Sequence, residues 1–307
     1  MELRHINGFV AVAQELHFGR AAARLHIAQP ALSQQIAALE RMLGVTLFER
    51  STRSVRLSPA GETFLPLAQR ILLDVETAVR AVKSGGDLVG RVTIGFAGVS
   101  AHVVLPRLAR AVRKQHPGIH LRLVGQVYSG EAVNRVAEGT IDLGLVRLPV
   151  KRAGLATYTL QRERLLAALP ADHRLADREE IDLTELAQEP FVSFPGMGGS
   201  AMRAALDHVM QEVGTTPEIV QEAPDSLTIL DLVAAGVGVT LTVSSVESRQ
   251  RSSSEVVFVP LTGGGPIIES AMAWREDNDS PALKAVLDVV RDVIPTPLEP
   301  GAYLQRD

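Results

Sequence analysis

The stretch from Phe18 to Leu43 restricts the fold more than any other part of this chain. It runs Phe18-Gly19-Arg20-Ala21-Ala22-Ala23-Arg24-Leu25-His26, then Ile27-Ala28, then Gln29-Pro30-Ala31-Leu32-Ser33-Gln34-Gln35-Ile36-Ala37-Ala38-Leu39-Glu40. Ala22 and Leu25 share one helical face, and Leu32, Ile36 and Leu39 share another at spacings of four and three. Proline fits a first helical turn, where its missing N–H costs nothing, so Pro30 starts the second helix near Gln29. Ser33, Gln34 and Gln35 then project from its first turns. Two short helices at a tight corner with polar groups there make a helix-turn-helix that reads a major groove. The same shape also fits a helical hairpin whose polar residues face water.

The flanking sequence extends this reading. Residues 2–16 carry Leu3, Ile6, Phe9, Val10, Ala13 and Leu16 as an apolar stripe for a supporting helix. Gly44 stops the second helix. Residues 45–50 and Val55 to Leu57 read as a hairpin wing around Ser51-Thr52-Arg53-Ser54, with Arg53 at its tip for a minor groove or a phosphate. Ser58-Pro59 caps a long helix reaching about Lys83. Its residues Phe64, Ala68, Ile71, Val75, Ala78 and Val82 repeat at alternating fours and threes, the seam of a two-helix coiled coil. Pro66 should kink that helix near Glu62 or delay its regular start. Residues 84–87 serve as a linker.

The charge balance separates the ends of the chain. Residues 1–60 hold seven Arg and four Glu, net +3, whereas residues 91–307 hold 21 basic and 27 acidic residues, net −6. A basic head on an acidic body suits phosphate contact at one end. The absence of cysteine excludes disulfides and thiolate sites and fits a cytoplasmic protein. Polar residues at 2–7 argue against a signal peptide. The apolar run from Leu227 to Val246 is broken by Asp231, Gly236 and Gly238, so no membrane partner is expected.

From Arg91 onward, strands and helices alternate, which predicts two α/β lobes with a largely parallel sheet and a cleft between them. Strands are expected at Val92–Phe96, Ile119–Val124 and Ile141–Val146, a strand pair over 156–170, and helices over 101–115 and 130–138. In such folds ligands bind at strand carboxyl ends, facing helix N-termini. Three turns qualify: Gly98-Val99-Ser100, Tyr128-Ser129-Gly130 with Ser129 as N-cap, and Gly196-Met197-Gly198-Gly199-Ser200. Arg147, directly after a strand, would grip a carboxylate. The candidate effector residues are therefore Val99, Ser100, Tyr128, Ser129, Arg147, Gly198 and Ser200. Each serine alone can equally be only a helix cap.

These residues resemble the LysR-type transcriptional regulators. The resemblance is dense in the head, through Phe18, Ala21, Ala22 and Leu25; Gln29-Pro30-Ala31-Leu32-Ser33-x-Gln35-Ile36; Leu43-Gly44-x-x-Leu47-Phe48-Glu49-Arg50; and Leu57-Ser58-Pro59-Ala60-Gly61. It continues in the body through Glu138-Gly139-x-Ile141-Asp142-Leu143-Gly144 and Leu232–Val239. Ala28-Gln29-Pro30 and Arg147 look most like the muconate- and benzoate-responsive regulators of aromatic catabolism, although Gln34 stands where those usually carry Arg. The resemblance implies a mainly α winged helix-turn-helix over 1–60 and a linker and dimerisation helix over 58–86. It also implies an α/β two-lobed, periplasmic-binding-protein-like effector domain over 91–307, one lobe at about 91–162 and 267–307 and the other at about 163–266. Arg20, Gln29, Pro30, Ser33, Gln34, Arg50 and Arg53 become the candidate DNA contacts. The implied partners are double-stranded DNA with an interrupted palindrome, a small carboxylate, and further copies of the chain as dimers and tetramers, with RNA polymerase as a candidate. No metal or cofactor is expected.

Enzyme readings are weaker, and so is an architectural DNA-binding protein indifferent to ligands. Gly98-x-Ser100-x-His102 lacks the second glycine of a hydrolase elbow. Gly95-x-x-Gly98 is not a dinucleotide fingerprint. Pro117-Gly118 breaks any helix aligning His116 with His120 on a metal.

Overall fold

The computed structural model describes residues 1–50, 54–83, 88–98, 101–197, 199–250 and 255–297. Arg53, Val99, Ser100 and Gly198, the wing tip 51–53 and the linker 84–87 lie outside them. The chain forms two compact units, Met1–Val89 and Gly90–Asp307.

The first unit contains α1 (Leu3–Glu15), α2 (Phe18–Arg24), α3 (Gln29–Leu43), the antiparallel pair β1 (Phe48–Arg50) and β2 (Val55–Leu57), and α4 (Pro59–Lys83). Its core gathers Ile6, Phe9, Phe18, Leu32, Ile36, Leu39, Leu47 and Phe48. Phe9 sits between Phe48 and Phe64, with ring centroids 5.3 and 5.1 Å away. Pro30 lies in the first turn of α3, and Gly44 ends that helix at φ +72°. The strand of the wing begins at Phe48 rather than at residue 45. Leu47 is buried, and Glu40 Oε1 accepts the Leu47 and Phe48 amides at 2.8 and 3.2 Å. A side chain of α3 thus anchors the wing before regular pairing starts. Glu40→Ala leaves two amides without this acceptor and should lower the stability of this unit by about 1–3 kcal/mol in urea unfolding.

Ser58 caps α4 as expected, its Oγ accepting the Gly61 amide at 3.0 Å. The helix is not delayed by Pro66 and runs continuously through it. Of the expected seam, Phe64, Ala68 and Ile71 pack on the core of the unit. Farther along, Val75 and Val79 are exposed and Val82 is 86% exposed.

The second unit is built on a seven-stranded sheet. Its strands are β3 (Gly90–Gly95), β4 (Ile119–Val124), β5 (Leu143–Arg147), β6 (Leu155–Pro170), β9 (Thr240–Val243), β10 (Val256–Pro260) and β11 (Ile267–Arg275). The two remaining strands, β7 (Pro190–Ser193) and β8 (Glu218–Glu222), pair in parallel. Helices α5 (Ala101–Gln115), α6 (Ser129–Ala137), α7 (Ala201–Glu212), α8 (Ser226–Ala234), α9 (Ser244–Gln250) and α10 (Pro281–Val293) complete it.

Three expectations are corrected here. Residues 155–170 are one 16-residue strand, not a strand pair. The sheet is mixed: β3 pairs in parallel with β4 and β5, but β11 and β6 enter antiparallel. Helix α9 follows β9 directly, where the sequence reading placed no element. Along β6 the neighbours change once. Leu155–Arg164 pairs with β11, and Leu165–Pro170 pairs with β9 and β10. A single strand therefore belongs to both halves of the unit, and the register shift at Ser270/Ala271 lies just before that change.

Candidate functional site

The exposed face of α3 is the first candidate surface. Gln29, Pro30 and Gln34 are exposed and Ser33 is half-buried, while Leu32 and Ile36 on the opposite side are fully buried. This sorting follows from the spacing of the apolar residues. Arg20 is exposed on α2, and its guanidinium is tied back to Glu15 through the side chain at 3.3 Å and through the Glu15 carbonyl. Contact of Arg20 with a phosphate therefore competes with an existing partner. Arg50 closes β1, its backbone paired with Val55. Arg53 lies outside the described residues, so the geometry neither adds nor removes it.

The second candidate is a cleft of about 710 Å³, counted with its open mouth, at the carboxyl ends of β3 and β5. Ala101 of α5, Ser129 of α6, Ala201 of α7 and Ser226 of α8 all reach it, so four helix N-termini converge there. The positive ends of their dipoles favour negative charge. Val104, Leu145, Leu160, Phe194, Val243 and Val246 form its apolar walls. Among the described lining residues, Arg147 is the one that carries a charge.

Arg147 is the last residue of β5 rather than the residue after it. Its amide donates to Ser129 Oγ at 2.8 Å, and its Nη1 donates to Glu163 Oε2 at 3.0 Å. Ser129 is therefore not the N-cap of α6. Tyr128 holds that position, and the Ser129 hydroxyl ties α6 to β5 instead. Ser200 does cap α7, its Oγ accepting the Arg203 amide at 3.3 Å, so the capping reading describes Ser200 and not Ser129.

Tyr128 reaches across the cleft. Its hydroxyl donates to the Pro224 carbonyl at 2.7 Å, and its ring meets Phe194 edge-on at 6.1 Å. Burial, then the charges of Asp225 and Glu131, push the phenol above its ordinary pKa, so it stays a donor at neutral pH. The Thr228 amide holds the Asp225 carboxyl below the usual range against its burial, helped by the Thr228 hydroxyl and the Leu227 amide. Beside Tyr128, the Gly130 amide donates to the Gly199 carbonyl at 3.0 Å. A Cβ built on Gly199, at φ +74°, would stand 2.9 Å from Gly130 Cα, so this approach requires glycine.

The structure thus brings Tyr128, Ser129, Arg147 and Ser200 to one cleft. It adds Gln161, Ser226, Thr242 and Ser270 to the lining and, behind Arg147, the buried Glu163, all of which the sequence reading missed. Ser270 Oγ donates to Gln161 Oε1 at 3.5 Å, and Glu163 Oε1 also accepts the Ser245 amide at 3.3 Å. The only sequence signal for Gln161 and Glu163 was two polar residues two apart in a strand, which point to one face.

Known proteins match along nearly the whole length of this chain. Residues 3–62 match a family model described as "Bacterial regulatory helix-turn-helix protein, lysR family". Residues 85–295 match one described as "LysR substrate binding domain". The HTH-type transcriptional regulator ShiR of Corynebacterium glutamicum (strain R) is 39% identical over 294 residues, covering 95% of this chain and 99% of that protein. The HTH-type transcriptional regulator BenM of Acinetobacter baylyi is 32% identical over 297 residues, covering 95% and 96%. Among solved structures, full-length CbnR in complex with its target DNA is 27% identical with a TM-score of 0.75, covering 95% of this chain and 100% of that one.

Proposed function

Because this chain belongs to the LysR family of transcriptional regulators, and is a DNA-binding regulator rather than an enzyme, we propose that it couples a small carboxylate held in the cleft to transcription from an operator read by α3. The observation that carries the reading is the convergence of Arg147 and four helix N-termini on one largely apolar cleft. That combination suits a ligand with an anionic end and an apolar body. Gln29, Pro30, Ser33 and Gln34 supply the reading face, and Arg20, Arg50 and Arg53 the phosphate contacts. Amide and hydroxyl groups give modest direct readout, so specificity comes from several heads at fixed spacing on an interrupted palindrome.

The exposed end of α4 supports dimers through that helix, and pairs of dimers give a tetramer. No described helix is long and apolar enough to cross a membrane. The site of action in this reading is the cytoplasm, where RNA polymerase is the further partner. A thermal-shift screen of small carboxylates identifies the effector. Arg147→Ala should then weaken its binding about 10–100-fold by calorimetry, the scale of a lost charged hydrogen bond. Unchanged affinity would remove Arg147 from the site.

A further inference from the structure

The guanidinium that the cleft offers to an anion already has one. Glu163 is 1% exposed, and its Oε2 lies 3.0 Å from Arg147 Nη1, whose side chain is 14% exposed. The other carboxylate oxygen is held by the Ser245 amide at 3.3 Å. Arg147, Ser270, Gln161 and Glu163 lie on one face of the sheet by register, because Ser270 pairs with both Arg147 and Gln161, and Glu163 is two residues farther along β6. Gln161 and Ser270 are neutral and hydrogen-bonded to each other, so neither offsets a second negative charge.

We infer that Glu163 is a built-in competitor for the effector: an incoming carboxylate must share or displace it at Arg147, and this lowers the affinity and the anion selectivity of the cleft. The inference rests on the carboxylate reading of the cleft. A carboxylate arriving at Arg147 places two like charges beside one cation where water is scarce. The gain of the new contact is reduced by what the Arg147–Glu163 contact loses. The carboxylate has a second holding point at Ser245, the second residue of α9, so it keeps a donor when Arg147 turns to the ligand. Its partners therefore permit exchange between Arg147 and α9, which ties the occupancy of the cleft to the segment after β9.

The test uses the full chain with benzoate as the anionic probe and benzamide as its neutral isostere. Glu163→Gln keeps the shape of the side chain and removes the charge. It should bind benzoate about tenfold more tightly than the unaltered chain by calorimetry while benzamide affinity stays constant. Adding Arg147→Gln to it should abolish the gain. Unchanged or weaker benzoate binding in Glu163→Gln would overturn the inference, because a residue that merely orients Arg147 produces that result. A gain that persists in the double variant would also overturn it. If no carboxylate of the thermal-shift screen, benzoate included, binds either the unaltered chain or Glu163→Gln, the carboxylate reading of the cleft falls and takes this inference with it. A thermal unfolding curve for each variant separates a lost fold from a changed affinity.

Discussion

Phe9→Ala should cost the DNA-binding unit about 3–5 kcal/mol, the scale of a fully buried aromatic truncated to a methyl group. Phe9 is fully buried and touches the rings of Phe48 and Phe64. With Phe9 the three rings come from three separate elements: α1, the wing and α4. Loss of the Phe9 ring leaves a void where the supporting helix, the wing and the long helix meet. A unit of this size has a total stability of about 5–10 kcal/mol, so one such void removes a large share of it. Chemical unfolding of the full chain should show the transition of the first unit moved to lower denaturant and that of the second unit in place. DNA binding should weaken in proportion to the unfolded fraction at the temperature used. A variant with an unshifted transition would mean that the wing and α4 pack independently of Phe9.

Val75→Asp combined with Val82→Asp should separate the dimer and lower operator affinity about 10²–10⁴-fold. Both valines are exposed on the half of α4 that leaves the core of the unit, with Val79 exposed beside them. An apolar row in water on a helix of 25 residues, about 38 Å long, needs a partner. Two carboxylates on each side of a paired seam would repel across it. Linking two heads converts the second binding event into an intramolecular one, so the loss on DNA exceeds any loss in one head. The operator would first be selected from random DNA with the unaltered chain. Sedimentation should then show monomers, with half-site affinity retained. Dimers of normal affinity would exclude this stretch of α4 as the seam.

The sequence showed the first unit almost element by element, because α1, α3 and α4 are each written in local signals: a 3.6-residue stripe, a proline at a first turn, a glycine at φ > 0. The cleft was legible where a strand runs straight into a helix, as at Tyr128–Ser129. It was not legible where contacts are distant in sequence. Ser129 looks like a cap locally, yet its hydroxyl serves Arg147 from 18 residues away. Glu163 sits in the charged run Gln161-Arg162-Glu163-Arg164, which a local reading turns into a solvated hairpin bend. Only pairing with β11 on one side of the change and with β9 and β10 on the other keeps those residues extended and buries Glu163. Helix α9 was missed for a local reason, since seven residues rich in serine carry no stripe long enough to register.

That continuous β6 has a mechanical consequence. At about 3.3 Å per residue, 16 residues make a bar of roughly 50 Å with no joint in its covalent backbone. Two bodies built on one bar cannot slide apart without breaking its ladder. The handover from one set of neighbours to the next falls between Arg164 and Leu165, and the buried Glu163 carboxylate sits just before it. The same short piece of backbone thus holds both the splice between the two ladders and the buried charge of the cleft.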